Sequence, residues 1–372
     1  MDRIRFAESP FEGHPDKLAD IISDEILDEF MRKDPFSRVS INVLLSSNIV
    51  FIAGEVSSSA YVDLQMVSKK AIKEVGYTKP EYGFDGDLIG VISSINEQSP
   101  EIALCIASEG AGDSAIVVGY ATDETESFLP APIYFAHKIS KTTSDFRKKG
   151  IMPFLRPDGK TIVGIKYEDQ NKFYIDSINM FVQHDPDISL HHLRELIFED
   201  IIKKHIPNEL LRKETKIKIN PAGRFIIGGP VADTGITGRK IVSDAYGDIS
   251  FSGGSAFSGK DPTKTDRAAS YMARYIAKHI VAAGWAKKVL IQIAYAFGVK
   301  ESIGFDIETF GTETKPVDLI KSRIREVFSL YPKDIIETLD LRKPIYKKTA
   351  CYGHFGKEGL SWEKLDKLEY FS

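Results

Sequence analysis

Hydrophobic side chains recur every three or four residues in several parts of the chain, which is the spacing of a helix that buries one face. The clearest case is Pro15–Lys33, in which Leu18, Ile22, Ile26 and Phe30 form one apolar stripe. Proline is favoured in the first turn of a helix because the N–H that it lacks has no partner there in any case. We therefore predict a helix over this segment, with the apolar stripe packed against a core.

The same segment carries a second stripe of aspartates at four-residue spacing, at positions 16, 20, 24 and 28. Asp16 lies in the first turn and is a candidate metal ligand. Asp20, Asp24 and Asp28 share one side of the helix, and we expect them to be exposed on its polar face.

The remaining apolar runs predict a regular alternation of strands and helices. The predicted strands are Val39–Ser46, Ile49–Val56, Leu88–Ile95, Ile116–Ala121, Thr161–Tyr167, Phe173–Gln183, Arg224–Ile227, Val289–Phe297 and Gly304–Phe310. The predicted helices are Tyr61–Val75, Ile133–Ser140, Leu190–Lys204 capped by Ser189, Pro262–Ala283 capped by Asp261, and Val317–Leu330. Three units of similar order predict an α+β fold with domains at 1–98, 110–225 and 226–372, each with a mixed sheet and helices on one face.

The composition is that of a soluble globular protein of 372 residues, with 42% hydrophobic and 27% charged residues and a formal net charge of -4. This balance gives no reason to expect nucleic acid or an anionic membrane as a partner. The two cysteines, Cys105 and Cys351, form no disulfide framework and show no metal-ligand spacing, so we expect buried thiols in a reducing compartment. The chain shows no signal-peptide pattern and no long apolar stretch, and we expect a cytoplasmic protein.

The run GGSAFSGKDPTKTD is the most informative segment for chemistry. Gly254–Lys260 fits the phosphate-loop pattern G-x-x-x-x-G-K, but Asp261 stands where that loop requires Ser or Thr for magnesium. The run brings Lys260 and Lys264 to the start of a helix, where free N–H groups favour an anion, and Asp266 could hold a metal against it. The alternative interpretation is a capped surface helix with solvated lysines.

A second candidate is EGHPDK at the start of the first helix. A histidine, a carboxylate and a lysine meet there, and this combination suits a phosphate ester with a metal ion. Asp16 could bind magnesium, and His14 and Lys17 could offset charge on a leaving oxygen. A helix cap followed by a helix-terminal lysine would explain the same residues.

Two further glycine-rich runs carry charges. Gly110-x-Gly112-x-x-Ala115 superficially matches a dinucleotide fingerprint, but a strand-like segment follows it instead of a helix, so we predict a turn that points Asp113 at a ligand. The run GGPVADTGITGRK, with Arg239, Lys240 and the nearby Arg224, suits recognition of a polyphosphate. LRPDGK, which ends at Lys160, is weaker, and plain surface turns would explain all three runs.

Together these runs closely resemble the S-adenosylmethionine synthetase family (methionine adenosyltransferases) of the bacterial and eukaryotic type. The resemblance extends over nearly the full chain, from EGHPDK to YGHFGKE near the C-terminus, and GAGD, GGPVADTGITGRK and GGSAFSGKDPTKTDR are specific to that family. It implies three βαββαβ-like domains in pseudo-threefold order. It also implies a homodimer, or a dimer of dimers, with active sites between two subunits.

The resemblance implies that methionine sulfur attacks C5′ of ATP and that the released triphosphate is hydrolysed to pyrophosphate and phosphate, with two Mg²⁺ ions per site. It assigns catalytic roles to His14, Lys160, Arg239 and Lys260, and Mg²⁺ binding to Asp16 and Asp266. Methionine would contact Glu55, Gln98, Asp233 and Lys264. ATP would contact His14, Asp113, Asp158, Lys160, Arg224, Phe225, Asp233, Arg239, Lys240 and Lys260.

Three departures from the family pattern concern regulation. Asn42 stands where the family usually has a glutamate that helps to bind K⁺, so we expect weak or absent potassium activation. GAGDSA replaces the usual GAGDQG. The segment between Gln98 and Gly110 is shorter than the usual gating loop and has an apolar Ile102–Ile106 core, so entry and release of ligands could differ.

Two other functions remain open from the sequence. A non-catalytic relative that acts as a nucleotide-binding partner subunit would bind ATP without turnover. An unrelated P-loop ATPase or kinase would use ATP without regard to methionine, but it requires the Ser or Thr that Asp261 replaces.

Overall fold

The computed structural model describes residues 3–99, 110–169, 172–249, 253–254 and 256–371. Predictions for Cys105 and the Ile102–Ile106 core fall outside these ranges.

The fold alternates helices and strands throughout the described chain. The strands are β1 Arg3–Pro10, β2 Arg38–Ser46, β3 Ile49–Ser57, β4 Gly90–Asn96, β5 Ala115–Thr122, β6 Leu155–Asp169, β7 Lys172–His184, β8 Leu211–Ile219, β9 Gly235–Ile236, β10 Lys288–Tyr295 and β11 Gly304–Glu308. The helices are α1 Pro15–Lys33, α2 Leu64–Val75, α3 Ala131–Lys148, α4 Leu190–Leu196 with a π-helical continuation Ile197–Ile202 and a last turn Lys203–His205, α5 Ile241–Asp244, α6 Thr265–Ala282, α7 Val317–Val327 and α8 Pro332–Thr338.

The strands form three sheets with the orders β4-β3-β2-β9, β1-β6-β7-β8 and β11-β10-β5. Two neighbouring pairs, β3–β4 and β7–β8, are parallel, and the other pairs are antiparallel. The prediction of an α+β fold with mixed sheets is therefore confirmed. The pseudo-threefold relation and the three linear domain boundaries stay predictions.

Each sheet contains a strand that lies far along the chain from its neighbours. β1 pairs with β6, β5 pairs with β10, and the short β9 pairs with β2. These exchanges bring loops that are more than a hundred residues apart in sequence to the same place. The glycine-rich runs meet for this reason.

Two predicted elements need correction, and strand β8 is among the elements that the sequence patterns did not indicate. Helix α6 begins at Thr265 and not at Pro262, because the Asp261 carboxylate accepts the Thr263 N–H (2.8 Å) and closes a turn before the helix. Arg224–Ile227 is not a strand. Strand β8, Leu211–Ile219, was not predicted. Most of its residues are charged and exposed, so the sequence shows only a weak alternation of apolar and polar residues.

The expectation that Asp20, Asp24 and Asp28 are exposed is wrong. All three are buried, and each accepts a hydrogen bond from a backbone N–H more than two hundred residues further along the chain. Asp20 accepts from Gly238 N (2.8 Å) and Asp24 from Gly259 N (2.8 Å), while Asp28 accepts from the N–H groups of residues 346 and 347. The acidic face of α1 therefore binds the backbone of the two largest glycine-rich loops, through Gly238 and Gly259.

The apolar interior forms two clusters of buried side chains. The larger one joins α1, α2 and α6 to the sheets β4-β3-β2-β9 and β11-β10-β5. The smaller one lies between the sheet β1-β6-β7-β8 and the helices α3 and α4. Cys351 is a buried thiol, as predicted. In the described ranges no helix is long and apolar enough to cross a membrane.

Candidate active site

The segment EGHPDK is fixed by its exit from β1. Phe11 N donates to Gly159 O (2.8 Å) and Gly13 N donates to Pro157 O (3.2 Å), so this segment runs alongside LRPDGK. A side chain at position 13 would overlap the main chain of Pro157, which explains the glycine. As a result Lys160 is brought beside the start of α1.

His14 is the N-cap of α1. Its Nδ1 accepts a hydrogen bond from the backbone N–H of Asp16 (3.2 Å). Burial, and then the positive charge of Lys240, lower the pKa of His14 to about 4. The imidazole is therefore neutral near pH 7, and because Nδ1 accepts, the proton of this tautomer is on Nε2.

Asp16 ties the start of α1 to the run GGPVADTGITGRK. Its carboxylate accepts from Ile236 N (3.0 Å) and from Lys240 Nζ (2.5 Å), and Arg239 NH1 lies 3.6 Å away. Burial raises the pKa of Asp16, but the bonds from Lys240 and Ile236 outweigh it and the pKa is lowered. A Cβ at Gly235 would overlap the carbonyl of Pro15, so this approach also requires glycine.

The cations around Asp16 differ in exposure. The Lys240 side chain is 19% exposed and that of Arg239 51%, so both can reach a ligand from the solvent side. Lys160 pairs with Glu8 of β1 (3.0 Å). The sequence alone did not indicate Glu8 as a site residue. We call His14, Asp16, Lys160, Arg239 and Lys240 the His14 group.

Lys17, which the sequence placed beside a leaving oxygen, faces the other way. Its ammonium is buried and pairs with Asp20 (2.8 Å) and Asp244. Although burial lowers the pKa of Lys17, these two carboxylates raise it well above its ordinary value. Lys17 therefore holds α5 against α1 and contacts no exposed surface.

A second group forms at the start of α6. Lys260 Nζ donates to Asp266 Oδ2 (2.6 Å), while Asp266 Oδ1 is buried and has no hydrogen-bond partner in the described part of the chain. Lys264 Nζ pairs with Asp261 Oδ2 (2.6 Å). Asp113 lies next to them, because its backbone carbonyl accepts from Thr265 Oγ1 (3.4 Å). We call Lys260, Lys264, Asp266 and Asp113 the Lys260 group.

The two groups are anchored along one edge of β2. Thr237 N donates to Val43 O (3.0 Å), and further along the same edge Lys260 forms a bridge with Ser40. Asp261 stands where a P-loop has Ser or Thr. Its carboxylate accepts a hydrogen bond from Val39 N (2.7 Å), so its role here is structural. Both glycine-rich loops are thus parts of one surface.

Asp158 and Phe225 lie beside the loop 228–233. The Asp158 carboxylate accepts from Gly229 N (2.7 Å), and burial raises its pKa to about 6. Phe225 is half-buried, and its backbone pairs with His184. The buried Tyr77, which the sequence did not indicate, donates from its hydroxyl to Gly13 O (2.6 Å) and packs against Gly229.

The other predicted residues are more dispersed. Arg224 is exposed and donates to the Pro186 carbonyl, and Asp233 is exposed with its carboxylate on Thr234 N (2.8 Å). Glu55 is exposed on β3 opposite Ser40, beside the Lys260 bridge. The remaining two positions are the exposed Asn42 on β2 and the buried Gln98, whose Oε1 has no partner among the described residues.

A metal ion at this surface would need ligands from the substrate. Within the described residues, no three His, Cys, Asp or Glu side chains converge to hold an ion by themselves. Mg²⁺ is commonly bound by one or two carboxylates together with substrate phosphates and water. The free, buried Oδ1 of Asp266 fits that mode of binding.

Comparison with known proteins gives consistent matches along the chain. Residues 2–100, 108–225 and 227–364 match the sequence models of the N-terminal, central and C-terminal domains of S-adenosylmethionine synthetase. The S-adenosylmethionine synthase of Aquifex aeolicus (strain VF5) is 61% identical over 369 residues, which cover 99% of this chain and 98% of that protein.

Proposed function

Because the chain belongs to the S-adenosylmethionine synthetase family, we propose that its reaction takes place between a His14 group and a Lys260 group. The protein is a methionine adenosyltransferase, which forms S-adenosylmethionine from methionine and ATP. Two observations support this location best: partly exposed cations surround Asp16, and a buried carboxylate oxygen of Asp266 lacks a partner among the described residues.

The bond changes explain the residue types. A lone pair of the methionine sulfur forms the S–C5′ bond while the C5′–O5′ bond breaks, and its electron pair leaves with the triphosphate. The thioether sulfur carries no proton, so the attack needs no general base. The enzyme must align the two substrates and stabilise the negative charge that grows on O5′ and the phosphates.

His14 is suited to assist the departing oxygen. Because its Nδ1 accepts from Asp16 N, the neutral ring presents an N–H at Nε2, which would donate a hydrogen bond to O5′. With the pKa of His14 lowered to about 4, this form is present throughout the neutral range. Because kcat/KM reports the pKa values of the free enzyme, we expect kcat/KM to show no inflection from His14 between about pH 5.5 and 7.5.

The cations of the two groups would bind the triphosphate. Lys160, Arg239 and Lys240 would contact it from one side and Lys260 from the other. Each of the carboxylates Asp16 and Asp266 would then share a Mg²⁺ ion with the phosphates, as Lys240 and Lys260 turn from their carboxylate partners toward phosphate oxygens. Bound Mg²⁺ supplies charge neutralisation to the phosphates.

The remaining roles follow the sequence prediction. Glu55, Gln98, Asp233 and Lys264 would bind methionine. Arg224, Phe225, Asp113 and Asp158 would surround the nucleoside. Hydrolysis of the bound triphosphate to pyrophosphate and phosphate would use the same cations.

A complete site would require two copies of the chain. The outer face of the sheet β4-β3-β2 exposes Leu44, Ile49, Phe51 and Ile92, side by side on paired strands. An apolar patch of this kind marks an interface, and a second copy facing it would form a twofold dimer. We propose that one subunit supplies the His14 group, that its partner supplies the Lys260 group, and that the dimer works in the cytoplasm.

The test is to incubate the purified protein with ATP, Mg²⁺ and methionine and to quantify S-adenosylmethionine, pyrophosphate and phosphate. The proposal predicts methionine-dependent formation of all three. ATP binding without products would instead indicate a non-catalytic subunit, and ATP hydrolysis that ignores methionine would indicate that the site has been misassigned.

A further inference from the structure

A cavity of about 430 Å³ is lined by Glu12 of the EGHPDK segment and otherwise by residues outside that segment. It is bounded by α3, by the end of α2 and by the C-terminal segment 347–357. Its volume is within the range of small-molecule sites, which is roughly 300–1,000 Å³. None of its lining residues belongs to the His14 group or the Lys260 group.

The floor of the cavity is apolar. Ile21, Val75, Leu129 and Phe355 line it, and all four are buried side chains of the larger core cluster. Tyr134, which is half-buried, lines the same cavity. These side chains would accommodate an apolar or aromatic body but offer little to a bare inorganic anion.

The walls, in contrast, carry six lysines against two glutamates. Half of the lysines have a carboxylate partner: Lys141 with Asp145 (2.7 Å), Lys148 with Glu12 (2.5 Å) and Lys347 with Glu25 (2.7 Å).

For the other three, Lys138, Lys348 and Lys357, the described residues provide no carboxylate within ion-pair distance. Lys357 instead donates to the carbonyls of Lys348 (2.6 Å) and Cys351 (2.5 Å), which fixes its ammonium at the cavity. Burial, which here outweighs the nearby negative groups, lowers the pKa of Lys357 to about 8. The cavity thus holds positive charge that lacks a counter-charge among the described residues.

We propose that this cavity binds a small organic anion, with an apolar or aromatic body on the floor and an acidic group between Lys138, Lys348 and Lys357. Lys138 and Lys357 are half-buried, whereas Lys348 is exposed. An ammonium ion with no carboxylate partner gains most from an anion where neighbouring protein atoms limit its contact with water, as they do for the first two. The site is separate from the proposed active site, so the two can be occupied together.

The probe is 8-anilinonaphthalene-1-sulfonate, an aromatic body with one anionic group, whose fluorescence rises on transfer to an apolar site. Titration uses the full-length protein with a non-hydrolysable ATP analogue and methionine at saturating concentration, so that the active site is blocked. The double variant Lys138→Gln/Lys348→Gln changes only cations that lie outside ion pairs and should fold normally. We expect it to weaken binding by about tenfold, the factor that corresponds to ~1.4 kcal/mol.

Two controls locate the effect. Lys213→Gln/Lys218→Gln removes the same charge from exposed positions on β8 and should leave the affinity unchanged. N-phenyl-1-naphthylamine has the same body without the sulfonate, and we expect it to bind the wild type and the cavity variant equally. Equal sulfonate affinity in wild type and cavity variant, or equal loss in both variants, would overturn the proposal.

Discussion

Asp16 and Asp24 lie two turns apart on one face of α1, and both pair with cations more than two hundred residues further along the chain. The Asp16 carboxylate meets Lys240 and Arg239, whose side chains are 19% and 51% exposed. Asp24 receives two hydrogen bonds from the Arg267 guanidinium (2.7 and 2.8 Å), and both side chains are fully buried. The first pair can be opened by a ligand, whereas the second cannot be reached by one.

Aspartates on the same face of α1 thus serve two purposes, one in the candidate site and one in the stability of the fold. At the solvent end, carboxylate–cation pairs hold charges that a triphosphate and a metal ion would use. Further along α1, the same kind of pair fixes the loops that carry those charges. Changing each pair should therefore separate loss of stability from loss of activity.

The largest effect is expected for Asp24→Asn. It leaves the Arg267 guanidinium buried without a counter-charge, which typically costs about 3–5 kcal/mol of stability. Denaturant unfolding would measure it, with the double variant Asp24→Asn/Arg267→Met as the control that removes the unpaired charge. Asp16→Asn, whose cations can turn to solvent, should lose much less, and equal losses for the two single variants would contradict the comparison.

Lys260→Ala should act on the reaction and not on the fold. Loss of one group that stabilises charge in the transition state typically lowers kcat by about 10²–10³. Stopped assays of S-adenosylmethionine formation, with unfolding curves on the same samples, would separate the two effects. Lys213→Ala is the matched exposed lysine. An unchanged kcat would remove Lys260 from the proposed site.

Asp28→Asn should alter the pH dependence of stability. Burial raises the pKa of Asp28 to about 7, despite hydrogen bonds from the N–H groups of Lys347 and Tyr346. Between about pH 4 and 7 the folded wild type keeps a proton that the unfolded chain has lost, so this contribution to stability falls as pH rises, by at most ~1.4 kcal/mol per pH unit.

The amide that Asp28→Asn introduces cannot titrate, so the unfolding free energy of wild type minus that of the variant should fall from pH 5 to 7 and level off above pH 8. The histidines and other carboxylates are common to both proteins and cancel in this difference. A difference that stays constant over this range would show that Asp28 is ionised throughout.

The smallest effect concerns potassium. Asn42 is exposed on β2 and offers a neutral amide at the position where the sequence resemblance implies a glutamate. We expect K⁺ to stimulate the unmodified enzyme little or not at all, and Asn42→Glu to create a dependence, measured against Na⁺ at constant ionic strength. Strong stimulation of the unmodified enzyme would refute this prediction.

The sequence predicts those features of the fold that depend on residues close together in the chain. The bounds of α1 follow from its proline and its apolar period, and the α+β class follows from the alternation of elements. The burial of Asp20, Asp24 and Asp28 could not be predicted, because their partners lie more than two hundred residues away. Glu8 and Tyr77 likewise contact residues that are distant in sequence, Lys160 and Gly13, so no local pattern indicates their role.

The same limit applies to the candidate site. The glycine-rich runs were identified as candidates from their composition, but their meeting depends on β1 and β9 joining strands distant in sequence. Lys17 is the clearest example, because this lysine lies within a candidate phosphate-binding run and is nevertheless a buried structural cation.

The central proposal is that a His14 group and a Lys260 group from two subunits form one site. The direct measurement is the activity of mixed dimers of Lys240→Ala and Lys260→Ala, co-expressed with different tags and purified through both. Each mixed dimer would contain one intact site, so we predict about half of the wild-type activity, while each parent variant alone stays nearly inactive. If both groups served a site within one subunit, no mixed dimer would contain an intact site, and activity no higher than that of the parents would contradict the account.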